Sequence, residues 1–466
     1  MTIKTRHYIS ILTFIFLFTG VTVKGQDERS AAHEMQVLDN FDDFDDTGWW
    51  RNFNDSLLDS LITAGESNNY NVAMAMRRIN VAKYALQATR AGYFPSLDLD
   101  LGWTKDRISG ATASRYGAGA TTTSYFTADV SLSWEIDLFG RITAQAKADK
   151  ANIKVSRAEY EAAMVALRAQ IATAYFQLRV YQQELEIAKN HSESELKIVK
   201  IAEARHETGL ASQLDVSQAK MVYYSTVASI PQLENSIRAS INSIAILLGC
   251  EPKEIYGVLN RPRPLPDYFQ IIPSYIPMQA MERRPDVVEA RYNIEVAAAQ
   301  LGIAKKDYLP SLTLTGSIGT EAHRLDDLFK KDSFTYSIVP TLSWTIFDGL
   351  SRRADVLSAR ESMEIEIDNY NLTLLTAFEE ADNALSGYFA NLKYIKEIEE
   401  VIANSIQAED LSLQLYKQGL GTFTNVVDAQ ISYLQYENQL IEAQGNALNS
   451  LVSLYKALGG GWQNDI

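Results

Sequence analysis

Four stretches of the chain alternate apolar and polar positions with a period of two, the mark of strands with two unlike faces. In the first, Leu97, Leu99, Leu101 and Trp103 interleave with Ser96, Asp98, Asp100 and Gly102. The second sets Val130, Leu132, Trp134 and Ile136 against Asp129, Ser131, Ser133, Glu135 and Asp137. In the third, Leu312, Leu314, Gly316 and Ile318 alternate with Thr313, Thr315, Ser317 and Gly319. The fourth sets Ile338, Pro340, Leu342, Trp344 and Ile346 against Ser337, Val339, Thr341, Ser343 and Thr345. This predicts strands over about 96–103, 126–137, 312–320 and 335–347. Strands of roughly 9 to 11 residues suit a transmembrane barrel, although a half-buried soluble sheet alternates in the same way. Pro340 costs its strand one ladder hydrogen bond. Thr104–Ser124, rich in Gly, Ala, Ser and Thr, reads as an external loop.

The strands are followed by very long helical runs. From Arg141 to His206 there is neither Gly nor Pro, and Gly140 and Gly209 punctuate the ends. A helix of that length would measure about 100 Å at 1.5 Å per residue. Leu350 to Gln418 repeats the run with only Gly387 inside it. Each run turns at a Gly-Leu pair and returns, through Gln213–Leu248 and Thr424–Leu458, which predicts two helical hairpins. Ala is dense between Ala144 and Ala174, favouring helix and close approach, and an ordinary coiled coil would read the same. Pro231 should kink the first return helix.

The two patterns belong to one duplicated unit. Tyr93-Phe94-Pro95-Ser96-Leu97 is echoed by Tyr308-Leu309-Pro310-Ser311-Leu312, and Ser133-Trp134, Gly209-Leu210 and Leu248-Gly249 by Ser343-Trp344, Gly419-Leu420 and Leu458-Gly459. The expected division is an N-terminal segment 26–65, a first repeat 66–260 with its tip near 207–214, a linker 261–284, and a second repeat 285–466 with its tip near 417–425. Four strands cannot close, and an open edge in lipid leaves backbone groups unsatisfied, so a membrane barrel must be shared between chains, with 8 strands from a dimer or 12 from a trimer.

The N-terminus changes the compartment. Lys4, Arg6 and His7 precede the apolar stretch Ile9–Phe18, and Val23 and Gly25 occupy small-residue positions, as in a cleavable signal peptide over 1–25. The following residue is Gln26 rather than Cys, so no N-terminal lipidation is expected. No later stretch is long and apolar enough for a spanning helix, and mean hydropathy is −0.15. The net charge of −15, without a long basic run, argues against nucleic acid as a partner. The lone Cys250 can form neither an intrachain disulfide nor a CxxC site. The five histidines show no HExxH spacing, and Walker, GxGxxG and GxSxG motifs are absent, so no enzyme, metal or cofactor is expected. The acidic tract Asp39–Asp46 lacks the Glu of a calcium loop and reads as a solvated linker. Glu379-Glu380 and Glu399-Glu400 read as solvated helix faces, and Asp98 and Asp100 as lumen charges of a pore or the wet side of a sheet.

These residues carry a resemblance. Arg283-Arg284-Pro285-Asp286-Val287, leading through Leu301-Gly302-Ile303-Ala304 to Tyr308-Leu309-Pro310-Ser311-Leu312, is similar to the most recognisable stretch of the TolC-like outer membrane efflux protein family. Thr208-Gly209-Leu210 with Leu214–Ala219, and Gly419-Leu420 with Val427–Gln430, resemble its two hairpin turns. The resemblance implies an α+β membrane protein: a homotrimer sharing a 12-stranded antiparallel β-barrel in the outer membrane, continued by a long α-helical barrel into the periplasm. It implies a passive exit duct for small toxic compounds, completed by a periplasmic adaptor (membrane fusion) protein and an inner-membrane RND-type transporter. A duct for type I protein secretion, or an exported coiled-coil interaction protein without a pore, remain alternatives.

By the same resemblance Asp428 and Thr424, one helical turn apart, line a periplasmic gate. Thr424 replaces the bulky apolar residue common there, with Phe423 as its candidate substitute. Thr208, Gly209, Leu210, Gln418, Gly419 and Leu420 would meet the adaptor. The outer face of the barrel, in contact with outer membrane lipid, would carry Leu97, Leu99, Leu101, Trp103, Trp134, Leu314, Leu342 and Trp344.

Overall fold

The computed structural model describes residues 37–38, 48–113, 120–269, 272–273 and 276–461, so the expected leader and the tract Asp39–Asp46 lie outside the described residues. In chain order the elements are β1 (Val37–Leu38), a 3₁₀ turn (Trp49–Phe53), α1 (Ser56–Asn68), α2 (Tyr70–Ala91), β2 (Ser96–Ile108), α3 (Gly110–Ala113) and β3 (Thr121–Ile136). There follow α4 (Arg141–Glu207), α5 (Gln213–Leu248), α6 (Pro252–Leu259), β4 (Ile272–Pro273), α7 (Met278–Met281) and α8 (Pro285–Lys306). The chain continues with β5 (Ser311–Ala322), β6 (Phe334–Ser343), α9 (Ser351–Gln418) and α10 (Phe423–Ala457).

The repeat is visible in the element lengths. Helices α2 and α8 both have 22 residues, and α4 and α9 have 67 and 68. Helix α5 runs unbroken through Pro231, and α9 through Gly387. At the strand-to-helix junctions one Asp does the same work in each half. Asp137 accepts the backbone N–H groups of Ile142 and Thr143, both at 2.9 Å, and the Thr143 hydroxyl at 2.7 Å. Asp348 accepts the Leu350 N–H at 3.1 Å. Burial pushes the Asp137 carboxyl up, but the bonds from Thr143 and Ile142 and the charge of Lys306 outweigh it and hold the pKa below the usual range.

The four long strands form one antiparallel sheet in the order β2-β3-β5-β6, while β1 and β4 make a short parallel pair. Two differences from the alternation pattern stand out. Residues 104–108 and 121–124, expected in a loop, extend β2 and β3. Conversely β6 ends at Ser343, which leaves Trp344 and Ile346 outside the ladder. Trp344 is held by its side chain instead: its indole N–H donates to the Tyr308 carbonyl at 3.0 Å, as Trp134 does to Tyr93 at 3.0 Å in the first half. The Tyr-x-Pro echo thus supplies the acceptor for the Ser-Trp echo, which ties each sheet strand to the helix that precedes its partner.

The main core lies where α1, α4, α5, α9 and α10 meet. Residues ahead of the first repeat belong to it: Trp49 stacks on Tyr455 with centroids 5.1 Å apart, Phe53 meets Phe176 at 5.0 Å, and the Tyr175 hydroxyl bonds Asp55. The motif residue Arg284 is buried at the start of α8 and joins three helices. It donates to both carboxylate oxygens of Asp286, at 3.0 and 2.7 Å, to Glu380 at 2.8 Å and to the Ala457 carbonyl at 3.1 Å. Glu380 is therefore an ion-pair partner and not merely part of a solvated face.

Arg284→Ala should lower stability by about 2–3 kcal/mol, below the full cost of breaking a buried pair because both carboxylates are partly exposed. Thermal unfolding followed by circular dichroism measures it, and an unchanged midpoint would remove Arg284 from the group of residues that hold the helices together.

Candidate functional site

The sheet has two chemically different faces, built by its register. Leu99, Val130, Ile318 and Tyr336 lie side by side across all four strands, and so do Leu97, Leu132, Gly316 and Ile338. Rows from Trp134 through Leu314 to Pro340, and from Ile136 through Leu312 to Leu342, continue the same face. The opposite face carries the rows Asp98, Ser131, Ser317, Ser337 and Asp100, Asp129, Gly319, Thr335. Leu97, Leu99, Leu101, Trp103, Leu342 and Trp344 are each more than half exposed, whereas Trp134 and Leu314 are half-buried. A soluble chain rarely leaves so large a contiguous apolar patch uncovered. From Ile136 to Phe126 the patch runs about 34 Å along β3 at ~3.4 Å per residue, or about 25 Å high at a tilt of 35–45°, the height of the apolar band of a membrane barrel.

At the other end of the long helices the two hairpins turn by the same device. Gly209 and Gly419 take φ of +73° and +74°, and a Cβ at either would meet open space. The Leu210 N–H reaches back to the Arg205 carbonyl at 2.8 Å, and the Leu420 N–H to Leu415 at 2.9 Å. This is the Schellman closure, and it needs the left-handed conformation that Gly adopts without strain. It leaves both leucines outside: Leu210 is 67% and Leu420 73% exposed. Thr208 and Gln418 are exposed beside them, the Thr208 hydroxyl donating to the Ala204 and Arg205 carbonyls.

Thr424 and Asp428 are both exposed on α10, one turn apart on one face. Phe423 is not available to them. It is 3% exposed, packed edge-on against Tyr416 at 4.9 Å inside a small core with Ile198, Val216 and Val426. Its role is to hold the tip together, so it cannot stand in for the apolar residue absent at Thr424. Leu214, which occupies the position equivalent to Thr424 in the first half, is exposed instead.

The two tips are joined across the repeats. The Arg205 guanidinium donates to the Lys417 carbonyl at 2.7 Å and lies 4.9 Å from the Tyr416 ring centre, while the Tyr416 hydroxyl donates to Asp215 at 3.1 Å. Burial, followed by the bond to Asp215, raises the Tyr416 pKa. Sequence reasoning missed this cluster. The signal lay in the places where the halves diverge: His206 stands where the second half has Tyr416, Leu415 where the first has Arg205, and Asn425 where the first has Asp215. Gln430, in the stretch that resembles a turn motif, is buried and bonds Glu409 rather than facing out.

Comparison with known proteins agrees with this geometry. The family model described as outer membrane efflux protein matches residues 61–250 and 276–460, once per half. The solvent efflux pump outer membrane protein SrpC of Pseudomonas putida is 27% identical over 454 residues, 95% of this chain and 92% of that one. The pyoverdine export outer membrane protein OpmQ of Pseudomonas putida is 27% identical over 430 residues, covering 90% of this chain and 89% of its own. Among solved structures, the outer-membrane channel OprN superposes with a TM-score of 0.82 at 26% identity, over 95% of this chain and 100% of that one. The outer membrane protein VceC of Vibrio cholerae gives 0.77 at 27% identity, over 90% and 100%.

If Arg205, Tyr416 and Asp215 hold the two tips together, Arg205→Ala and Tyr416→Phe should each speed amide hydrogen exchange around 205–211 and 415–421 several-fold. Exchange in the main core should not change. Identical exchange at the tips in wild type and both variants would dissolve the cross-repeat contact as a constraint.

Proposed function

The chain belongs to the outer membrane efflux protein family, and from that membership we propose that it is the outer membrane duct of a tripartite efflux system. Three copies would share a 12-stranded barrel and extend a helical tunnel into the periplasm. A periplasmic adaptor and an inner-membrane RND-type transporter would complete the machine. The protein itself would be passive, performing no catalytic step. Cleavage of residues 1–25 would leave Gln26 first.

The observation that carries this reading is the sheet. Strands β2 and β6 are its two outer edges, and both are long. Since successive strands run antiparallel, β2 and β6 point in opposite directions, and β6 of one copy can pair antiparallel with β2 of the next. A head-to-tail contact of this kind closes into a ring when the rotation between copies is a whole fraction of a turn. The apolar rows then face outward to lipid, with Asp98, Asp100 and Asp129 in the lumen. On α9 the side chains of Leu357, Ile365, Leu372 and Leu375 are exposed within one chain and await a neighbouring helix. The names of the relatives, which speak of solvents and of pyoverdine, favour small organic cargo over secreted polypeptide. The extended apolar sheet face speaks against a coiled-coil protein without a pore.

At the tip, Asp428 and Thr424 would face the axis, where three Asp428 carboxylates would form an acidic ring that favours cations. Thr208, Leu210, Gln418 and Leu420 would present the adaptor-docking surface on turns closed by Gly209 and Gly419.

Purified protein in a planar bilayer should conduct ions and crosslink as a trimer. A monomer without conductance would remove both barrel and duct. Asp428→Ala should reduce cation selectivity, and unaltered traces would take Asp428 out of the constriction. Leu99→Arg should destabilise by roughly 2–4 kcal/mol if this position is near the bilayer midplane. The double change Leu210→Asp, Leu420→Asp should leave trimers intact but abolish efflux and crosslinking to the adaptor. Full efflux in that variant would place the docking surface elsewhere.

A further inference from the structure

A cavity of about 570 Å³ lies between α4, α5 and α10, with walls that include Glu195, Met221, Thr226, Leu434, Asn438 and Glu442. Its size falls in the range of drug-sized ligand sites. Two of its walls carry buried acceptors without a donor. Glu195 is 2% exposed; its Oε1 accepts the Thr226 hydroxyl at 2.9 Å, and its Oε2 has no hydrogen-bond partner. The Asn438 Oδ1 is likewise buried and unpaired. Glu442 stands one turn beyond Asn438 on the same helix face, and neither it nor Glu195 has an ion-pair partner among the described residues. Leaving a buried acceptor unsatisfied is costly, and more so for a carboxylate, so the wall favours a guest that brings donors and positive charge.

We infer that this cavity binds an amphipathic organic cation, its ammonium group held by Glu195 and Asn438 and its apolar body lying against Met221 and Leu434. No group of three His, Cys, Asp or Glu side chains among the described residues is arranged to hold a metal ion, which directs the cavity toward an organic guest. Glu442, an exposed residue of the lining, adds negative potential. The surroundings agree. Burial, and then the charge of Glu442, pushes the Glu184 carboxyl up to about 7. Burial likewise raises Glu195. The Thr226 hydroxyl and the charge of His191 offset only part of that rise at Glu195, and no cation offsets it at Glu184.

The other titratable groups nearby are His191 on α4, Glu409 on α9, and Tyr433 and Glu437 on α10, with His191 Nε2 2.6 Å from Glu437 Oε2. The α5 wall contributes Met221, Val222, Ser225 and Thr226, none of which titrates in the working range. Because burial raises the Glu195 pKa, a bound cation selects its ionised form and releases a proton. Affinity therefore rises with pH until Glu195 is fully ionised. On the duct reading the cavity would be a resting place for cargo, but binding to the helices does not depend on conduction.

The test uses the full-length protein in lipid nanodiscs, titrated calorimetrically with 4-phenylbutylammonium and with neutral 4-phenylbutanol. The ammonium should bind at least tenfold more tightly than the alcohol, tighten as pH rises, and release a proton in buffers of different ionisation enthalpy. Glu195→Gln should weaken it at least tenfold, and Leu434→Trp, which keeps every carboxylate, should abolish it by filling the space. Each variant's thermal midpoint is checked against wild type. Equal binding of alcohol and ammonium, equal affinity in Glu195→Gln, retention in Leu434→Trp, or no binding at all, the result for a water-filled cavity only, would each overturn the inference. Bilayer conductance is read separately: loss of conduction with binding intact would defeat the duct and leave the cavity site standing.

Discussion

Everything in this chain is arranged around two strand edges that it cannot satisfy alone. A backbone N–H or C=O in hydrocarbon without a partner costs several kcal/mol, and β2 and β6 each present a row of them. Curling four strands on themselves is geometrically impossible, since membrane barrels begin at about eight. On the proposed reading the edges are paired by other copies. Once that is granted, the rest of the architecture acquires a direction: one sheet face outward, the other inward, and the long helices carried away from the bilayer on the axis of the assembly.

Duplication supplies this arrangement economically. Each half contributes a helix, two strands and a long hairpin, and the antiparallel pairing of β3 with β5 stitches the halves in the sheet. The junctions repeat down to single bonds, with Asp137 matched by Asp348 and the Trp134–Tyr93 bond by Trp344–Tyr308. The halves part company where function would require asymmetry. At the tips Arg205, Asp215 and Tyr416 have no counterparts across the repeat, and they are the residues that join one tip to the other. Arg284 is similarly unduplicated and draws together α8, α9 and the end of α10.

Much of this was legible in the sequence because its signals are local. Alternation with period two requires only neighbouring residues, and the rows Leu99–Val130–Ile318–Tyr336 are its direct consequence once the register is known. The long helices announce themselves by lacking Gly and Pro. What failed were statements that depend on the third dimension. Alternation continues to Ile346, yet the ladder stops at Ser343, because Trp344 is fixed by its indole and the chain is already turning toward α9. Phe423 is apolar at a tip, as Leu210 and Leu420 are, and nothing local separates the one that is buried from the two that are exposed. Glu380 resembles any solvated helix carboxylate until Arg284 arrives from about a hundred residues away.

The distribution of acid along the chain supports one further step. Carboxylates recur at three levels: Asp98, Asp100 and Asp129 on the polar sheet face, Glu184, Glu195 and Glu442 within the helical hairpins, and Asp428 near the tip. Acidic groups in water need no explanation. Glu184 and Glu195 are different, because burial raises their pKa and neither forms an ion pair among the described residues. A purely structural helical tube would have done better with apolar residues at those positions, since replacing buried charge by well-packed hydrophobic side chains is commonly neutral or stabilising. The hairpins thus retain a local cost in stability. In a duct that only conducts, such a cost has no return, but in one whose wall briefly holds cationic cargo it is released each time a positive charge passes.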